Sequence, residues 1–429
     1  MLWIKLASVA AFAWGWASSK RRLQATSVSD AFCLAFLVIF LPYFFINPGA
    51  LSSWHDLTFP DAVIARGQYA IILTLVLGGA IFFIRGRVGR GAPRPRLAVE
   101  GRVVLGLAIG SAVIAVAILL AILLMPDLFK FRWATWRWIA GDVNGNENAP
   151  LRRMFSGGLY DEVLARLRFT VMPVLLLFII APLLRRRYWI AAALAAIVFF
   201  VSLPLSMSKL PFVVFAAYLL LFGGLHVIHE MSIGRIALFA IVAVAGLVIA
   251  LASLYMLQYF HSPGYTTFAR PLQLAAERIW GEGYSIMLRY LAVYPDRLPF
   301  AGWSGIATVA KLVGLAPRFP DIEVANTLIG DGTGSNPGVF FLGGYAAFGE
   351  AGLVAFIVLG WLMLWAVDEI GAALKTELVY KVYVAVMAVN CLFLLQIALQ
   401  TALVSYGVAV VPALLFVIDR LLARGRSPA

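Results

Sequence analysis

The sequence carries little charge and almost no cysteine. Asp, Glu, Lys and Arg make up 13% of its 429 residues, and the cysteines are Cys33 and Cys391 alone. No stretch reads GxxxxGK[ST], HExxH, GxSxG or CxxC. That excludes a phosphate-binding loop, a zincin helix, a hydrolase nucleophile elbow and a dithiol pair as the basis of function. Both cysteines fall within apolar runs, so two free, buried thiols and no disulfide are expected. Ten-residue stretches of strict polar and apolar alternation are also missing, which excludes a transmembrane barrel. Tandem or inverted repeats, the usual mark of a secondary transporter, are not found either.

What is present is apolar. Hydrophobic residues account for 62% of the chain and the mean hydropathy is +0.92, more than a water-soluble domain of this size can hide. Apolar runs long enough to cross roughly 30 Å of hydrocarbon recur along the whole length. The expected fold is all-α and polytopic, with about eleven transmembrane helices near 2–17, 31–48, 69–84, 103–126, 168–184, 189–203, 209–226, 236–258, 343–366, 380–399 and 404–422. The opening Met1-Leu2-Trp3-Ile4-Lys5 reads as the start of a first helix, since its apolar run is not followed by an A-x-A cleavage pattern. The formal charge of +13 lies in short arginine clusters between apolar runs, where it sets topology. It therefore predicts no nucleic-acid partner.

The linkers alternate in charge. One set holds Lys20-Arg21-Arg22, the segment from Arg85 to Arg102, Arg185-Arg186-Arg187, Arg235, Lys375 and the tail with Arg420, Arg424 and Arg426; the short linkers of the other set hold only Arg66 and Lys209. Lysine and arginine mark the cytoplasmic side, so the C-terminus is expected inside and both long linkers outside. The first long linker, 127–167, interleaves aromatics and cations in Phe129-Lys130-Phe131-Arg132-Trp133, a composition suited to the headgroup layer. The second, 259–342, is the polar part of the chain and is expected to form a compact outer cap with a helix from Gln273 to Leu291. Shorter pieces should follow, broken by Pro299, Gly302, Gly314, Pro317 and Pro320.

Candidate chemistry gathers there. Lys209, in the short outer turn Ser206-Met207-Ser208-Lys209, sits where the charge rule disfavours a cation. It is either a tolerated anchor snorkelling to water or the partner of an anion such as a lipid-linked diphosphate. Arg270, Arg278 and Arg289 lie on or beside one predicted helix. Each could form a solvated pair with Glu277 or Glu282, and the three together could clamp a diphosphate. Candidate general bases are Glu282, Asp331, His261, Asp321 and Glu323. Asp331 lies in the glycine-rich turn Gly330-Asp331-Gly332, where the backbone can approach a ligand closely but where Asp-Gly is also an ordinary turn pair. His226, His229 and Glu230 lie at a helix end without a further ligand, and read as structural rather than as a metal site.

Three features carry a resemblance to a known family. They are the Ser208-Lys209 turn, the large outer loop followed by closing helices, and Asn336-Pro337-Gly338 leading into Gly344-Tyr345-Ala346-Ala347-Phe348-Gly349-Glu350-Ala351-Gly352. Together they resemble the Wzy-type oligosaccharide repeat unit polymerases, a group related to the O-antigen ligases. Lysine rather than arginine stands at 209 here, and the Asp331 turn holds no histidine. The resemblance implies a GT-C-like, cofactor- and metal-independent glycosyltransferase in the bacterial cytoplasmic membrane. Its substrates would be undecaprenyl-diphosphate-linked oligosaccharides taken at the outer face, and a polysaccharide chain-length regulator is a possible partner. Lys209, Arg270, Arg278, Arg289 and Tyr345 would bind substrate, with Asp331 or Glu282 as the base. Two alternatives stay open at this point: a ligase with the same donor, and a flippase for a lipid-linked sugar.

Overall fold

A computed structural model describes residues 2–23, 27–45, 59–88, 96–124, 137, 167–202, 210–227, 245–246, 248–249, 252–253, 256, 267–276, 282–329 and 338–424. Among them the protein is helical and has no β-strand; Leu97 and Thr376 form one isolated parallel bridge. Among the described residues, four stretches are long and apolar enough to cross a membrane: Asp61–Val88, Gly101–Ala121, Leu342–Ala373 and Glu377–Leu395. Cys33 and Cys391 are buried and are not joined in a disulfide. The chain divides into two compact units, the first made of Met1–Pro95, Glu277–Ala373 and Asn390–Val404, the second of Arg96–Ala276, Leu374–Val389 and Ser405–Ala429.

In the first unit α1 (Leu2–Leu23), α2 (Val28–Phe45) and α3 (Asp61–Val88) pack with α12 (Leu342–Ala373). Small residues let α1 and α3 approach closely: a Cβ on Gly79 would lie 2.8 Å from the carbonyl oxygen of Ala11. Trp361 of α12 is buried against Phe12, Phe32, Phe36 and Phe82. Its indole N–H donates to the carbonyl of Thr74 at 3.0 Å, as a buried indole must find an acceptor.

Arg85 behaves differently from its expected place in a cytoplasmic linker. It is part of α3, is 2% exposed, and its Nη1 lies 2.6 Å from Oδ2 of Asp368, also 2% exposed. Asp368 also accepts from the backbone N–H of Ser29 at 3.2 Å and from the Ser29 hydroxyl. Beside it, Trp16 Nε1 donates to Asp30 at 2.8 Å. The cation is therefore turned inward by a carboxylate 283 positions away, which no local pattern announces.

The polar block contributes α9 (Glu282–Val293), a 3₁₀ turn at Gly302–Gly305, α10 (Ala307–Leu312) and α11 (Pro320–Ile329) to this unit. These are the short pieces that its prolines and glycines predict. The expected helix 273–291 is described instead as α8 (Ala269–Ala276), which belongs to the second unit, and α9; residues 277–281 lie outside the described residues.

The second unit contains α4 (Gly101–Leu124), α5 (Met172–Arg185), α6 (Trp189–Ser202), α7 (Leu210–Val227), α8, α13 (Glu377–Leu392) up to Val389, and α15 (Val410–Arg424). α4 packs on α5, and α5 on α6 and α7. The start of α13 is held by Asp419 of α15, whose carboxylate accepts from Lys375 N at 2.9 Å, Thr376 N at 2.8 Å and Thr376 Oγ1 at 2.6 Å. It supplies from a distant helix what an N-cap residue supplies locally.

The closing helices also differ from the expected 380–399 and 404–422. α13 ends at Leu392, a 3₁₀ turn covers Phe393–Leu395, and α14 (Leu399–Ser405) precedes α15. The helix stops because the chain here bonds elsewhere: Phe340 N donates to Leu394 O at 2.8 Å, and Leu399 N to Phe340 O at 3.3 Å.

Candidate functional site

The residues that the sequence singles out do not all fall within the described structure. Lys209, Arg278, Asp331 and His261 lie outside the described residues, and so does the side chain of Glu282, which begins α9. Arg270 is on α8 and donates to Gln273 Oε1 at 2.9 Å on its own helix, an ordinary solvated contact. Arg289 is on α9 and only 9% exposed. A solvated surface pair is therefore not its role. Arg289 and Tyr345 both belong to the first unit; Arg270 belongs to the second.

Tyr345 is the residue around which the first unit gathers polar groups. Its hydroxyl donates to the carbonyl of Tyr294 at 3.0 Å and lies within hydrogen-bonding reach of Arg66. Arg66 in turn is 3.7 Å from Asp296. Both members of that pair are more than a third exposed, so it contributes little to stability and leaves two charges at the surface. Arg66 was not among the candidates, although it was the other cation of the weakly charged set of linkers. That shared anomaly with Lys209 was the signal.

Tyr345 is placed by a bend in α12. Phe348 (φ −134°, ψ 16°) and Gly349 (φ 63°, ψ −142°) leave helical geometry inside the span, and the positive φ of Gly349 is open to glycine and strained for other residues. The turns on either side then meet backbone to backbone. A Cβ on Gly344 would lie 2.5 Å from Gly352 O, and one on Gly352 would lie 2.7 Å from Gly344 C. A bend exposes main-chain groups that a span must satisfy, and the polar block supplies one partner: Ala301 N donates to Ala346 O at 2.9 Å. Phe300 covers Gly349, and Trp303 packs edge-on against Phe348 at 4.9 Å. The block thus holds the bend through its backbone, a tyrosine and two aromatic rings.

The same turn holds Glu323. Arg318 grips it with two hydrogen bonds, Nε to Oε1 and Nη2 to Oε2, both 2.7 Å, and the Tyr294 hydroxyl donates to Oε2 at 2.6 Å. Burial alone would raise the Glu323 carboxyl; the bonds from Arg318 and Tyr294 outweigh it and hold the group below its usual value. Burial and the bond to Glu323 push the Tyr294 phenol well above its usual value, so it stays a donor. A carboxylate with both oxygens engaged and a lowered pKa is a poor general base. Glu323 is a holder of the turn.

That assignment has a pH signature. A carboxyl held below its unfolded value, roughly 4.3, contributes stability that is fully present above that value and lost as pH falls through the lower folded one. The melting midpoint of the wild type should therefore drop on acidification below about pH 4.3 more steeply than that of Glu323→Gln. Parallel curves would show that the carboxylate is not held in this way.

No protein-family model, curated protein or solved structure matches this chain.

Proposed function

We propose that this protein is a membrane glycosyltransferase that polymerises undecaprenyl-diphosphate-linked oligosaccharide repeat units into a surface polysaccharide. The observation that carries the reading is the clasp just described. The stretch from Gly344 to Gly352, on which the family resemblance rests, is a sharp bend in an apolar helix, and the polar block closes on it. The bend brings the hydroxyl of Tyr345 together with Arg66, whose charge is suited to an anion such as a lipid diphosphate.

In this reading the chain has about eleven spans in a GT-C-like arrangement, lies in the bacterial cytoplasmic membrane with its C-terminus inside, and works at the outer face. An acceptor hydroxyl attacks the anomeric carbon of the donor sugar, the bond from that carbon to the diphosphate oxygen breaks, and undecaprenyl diphosphate leaves. The acceptor proton passes to Asp331 or Glu282. By the resemblance, Lys209, Arg270 and Arg278 would hold the donor diphosphate and Arg289 would serve the acceptor; within the first unit, Arg66 with Tyr345 offers an anion-binding surface. Neutralising the leaving diphosphate contributes on the order of 3–4 kcal/mol per well-placed donor. The block also exposes Trp303, Leu312, Val313 and Phe319, an apolar edge suited to resting on a bilayer.

Deletion of the gene, followed by gel and lipid-extract analysis of the glycan, tests the reading. Single repeat units on the carrier, with no long chains, are the expected result, and Lys209→Ala expressed in the deletion strain should give the same pattern at wild-type protein levels. Full-length chains left on the carrier would indicate a ligase instead. Repeat units accumulating in the inner leaflet would indicate a flippase.

A further inference from the structure

We propose that a cavity in the second unit binds a phosphate group presented by the headgroup of an anionic phospholipid. The cavity, about 140 Å³, opens where α4 and α13 begin and where α5 and α7 end; Val99, Arg185, His226, Glu377 and Lys381 line it. This inference does not depend on the glycosyltransferase reading, and none of these residues takes part in the proposed transfer.

Among the described residues, the walls carry more hydrogen-bond donors than find partners. Arg185 has five N–H groups and donates Nη1 to Val99 O at 2.7 Å; it makes no other bond among the described residues. Lys381 has three and spends one on Glu377, at 2.8 Å one helical turn back. Its side chain is 14% exposed, so its remaining donors have little water to satisfy them. His226 donates Nδ1–H to the carbonyl of Phe222 at 2.8 Å, since a carbonyl can only accept. In the neutral ring Nε2 is then an acceptor, open to a headgroup hydroxyl rather than to the phosphate itself. Arg185 and Lys381 against the one lining carboxylate, Glu377, give the cavity a positive balance. Arg96, stacked on the Tyr380 ring at 3.4 Å and in electrostatic contact with Glu377, adds to it.

The surroundings say which anion. α4 and α13 both belong to stretches apolar and long enough to span, so a cavity at their first turns lies at the boundary between hydrocarbon and water. Arg185, Arg186 and Arg187 are all exposed there. Alongside, α4 exposes Val103, Leu105 and Ile109, an apolar surface on which acyl chains can lie. Basic pockets between helices at the arginine-rich side of a membrane are sites for anionic lipid headgroups. The volume is small for a nucleotide or drug-sized ligand but suits a single phosphate and its ester oxygens. The wall is also pre-organised, because Asp419 fixes the turn from which Glu377 and Lys381 project.

The test uses the purified, delipidated full chain in detergent, with phosphatidylglycerol, phosphatidylcholine and inorganic phosphate as separate probes. Thermal melting and native mass spectrometry are the readouts. Phosphatidylglycerol should raise the melting midpoint and remain bound as a discrete adduct, while phosphatidylcholine and millimolar phosphate should not. Arg185→Gln and Lys381→Gln should each weaken phosphatidylglycerol retention about tenfold, a loss of about 1.4 kcal/mol, whereas Lys381→Arg keeps the charge and should retain it. Ala98→Phe, on the exposed rim, blocks the cavity without touching a charge and should also abolish the adduct. Equal protection by both lipids, or full retention in Arg185→Gln and in Ala98→Phe, would overturn the proposal. Protection by inorganic phosphate as strong as that by the lipid would overturn the lipid source.

Discussion

Asp368→Ala is expected to destabilise the protein by roughly 3–5 kcal/mol, the cost of removing one partner from a buried ion pair. The substitution leaves Arg85 charged at 2% exposure with Glu369 as its nearest anion, 3.8 Å from Nε and itself 38% exposed. It also strips the acceptor from the Ser29 N–H and hydroxyl. Burying a charge without its partner costs far more than losing the attraction between the two. The double variant Arg85→Met, Asp368→Leu removes both charges and should recover most of the loss, because apolar replacements of buried pairs are often close to neutral. Melting midpoints in detergent, read for wild type, single and double variants, decide the matter. If the double variant falls as far as the single, the damage comes from packing and not from an orphaned arginine.

The second large effect is expected at the bend. Gly352→Leu should lower the melting midpoint and abolish whatever activity the first unit supports, with a cost of at least the roughly 1–3 kcal/mol of an overpacked core. The reason is the nature of the obstacle. A side chain at 352 meets the backbone of Gly344 and, at 3.0 Å, the Cβ of Phe348, none of which can rotate aside. The helix must then straighten, and Tyr345 loses its bond to Tyr294. Gly101→Ala is the control: a Cβ there meets nothing within 4 Å, and replacing glycine in a helix by alanine should be neutral or slightly stabilising. Wild-type melting in Gly352→Leu would show that the bend does not depend on the close approach of the two glycines.

Much of the site was legible as composition and little of it as geometry. The run Gly344–Gly352 stood out through a family resemblance, and its first and last glycines turn out to be where two turns of one helix touch. The polar block stood out because nothing else in the chain is polar over such a length, and its prolines and glycines predict the short pieces actually seen. Arg289 could be read only as a charge on a helix; that it faces inward was hidden, because burial is decided by what packs against α9. Arg66 carries the same anomaly as Lys209, a cation among the weakly charged linkers, but its nearness to Tyr345 is set by tertiary packing.

The sequence by itself determined the class of fold. Helix formation and the avoidance of water by long apolar runs are local properties, summed over neighbours a few residues apart. The tertiary structure alone decided which charges are buried and paired. Arg85 belongs, by its neighbours, to a basic linker, yet it lies against Asp368, and Asp419 caps a helix that begins more than forty residues before it. Such pairs form because a buried charge must find a partner wherever the fold brings one. The chain spacing between them carries no trace of that requirement.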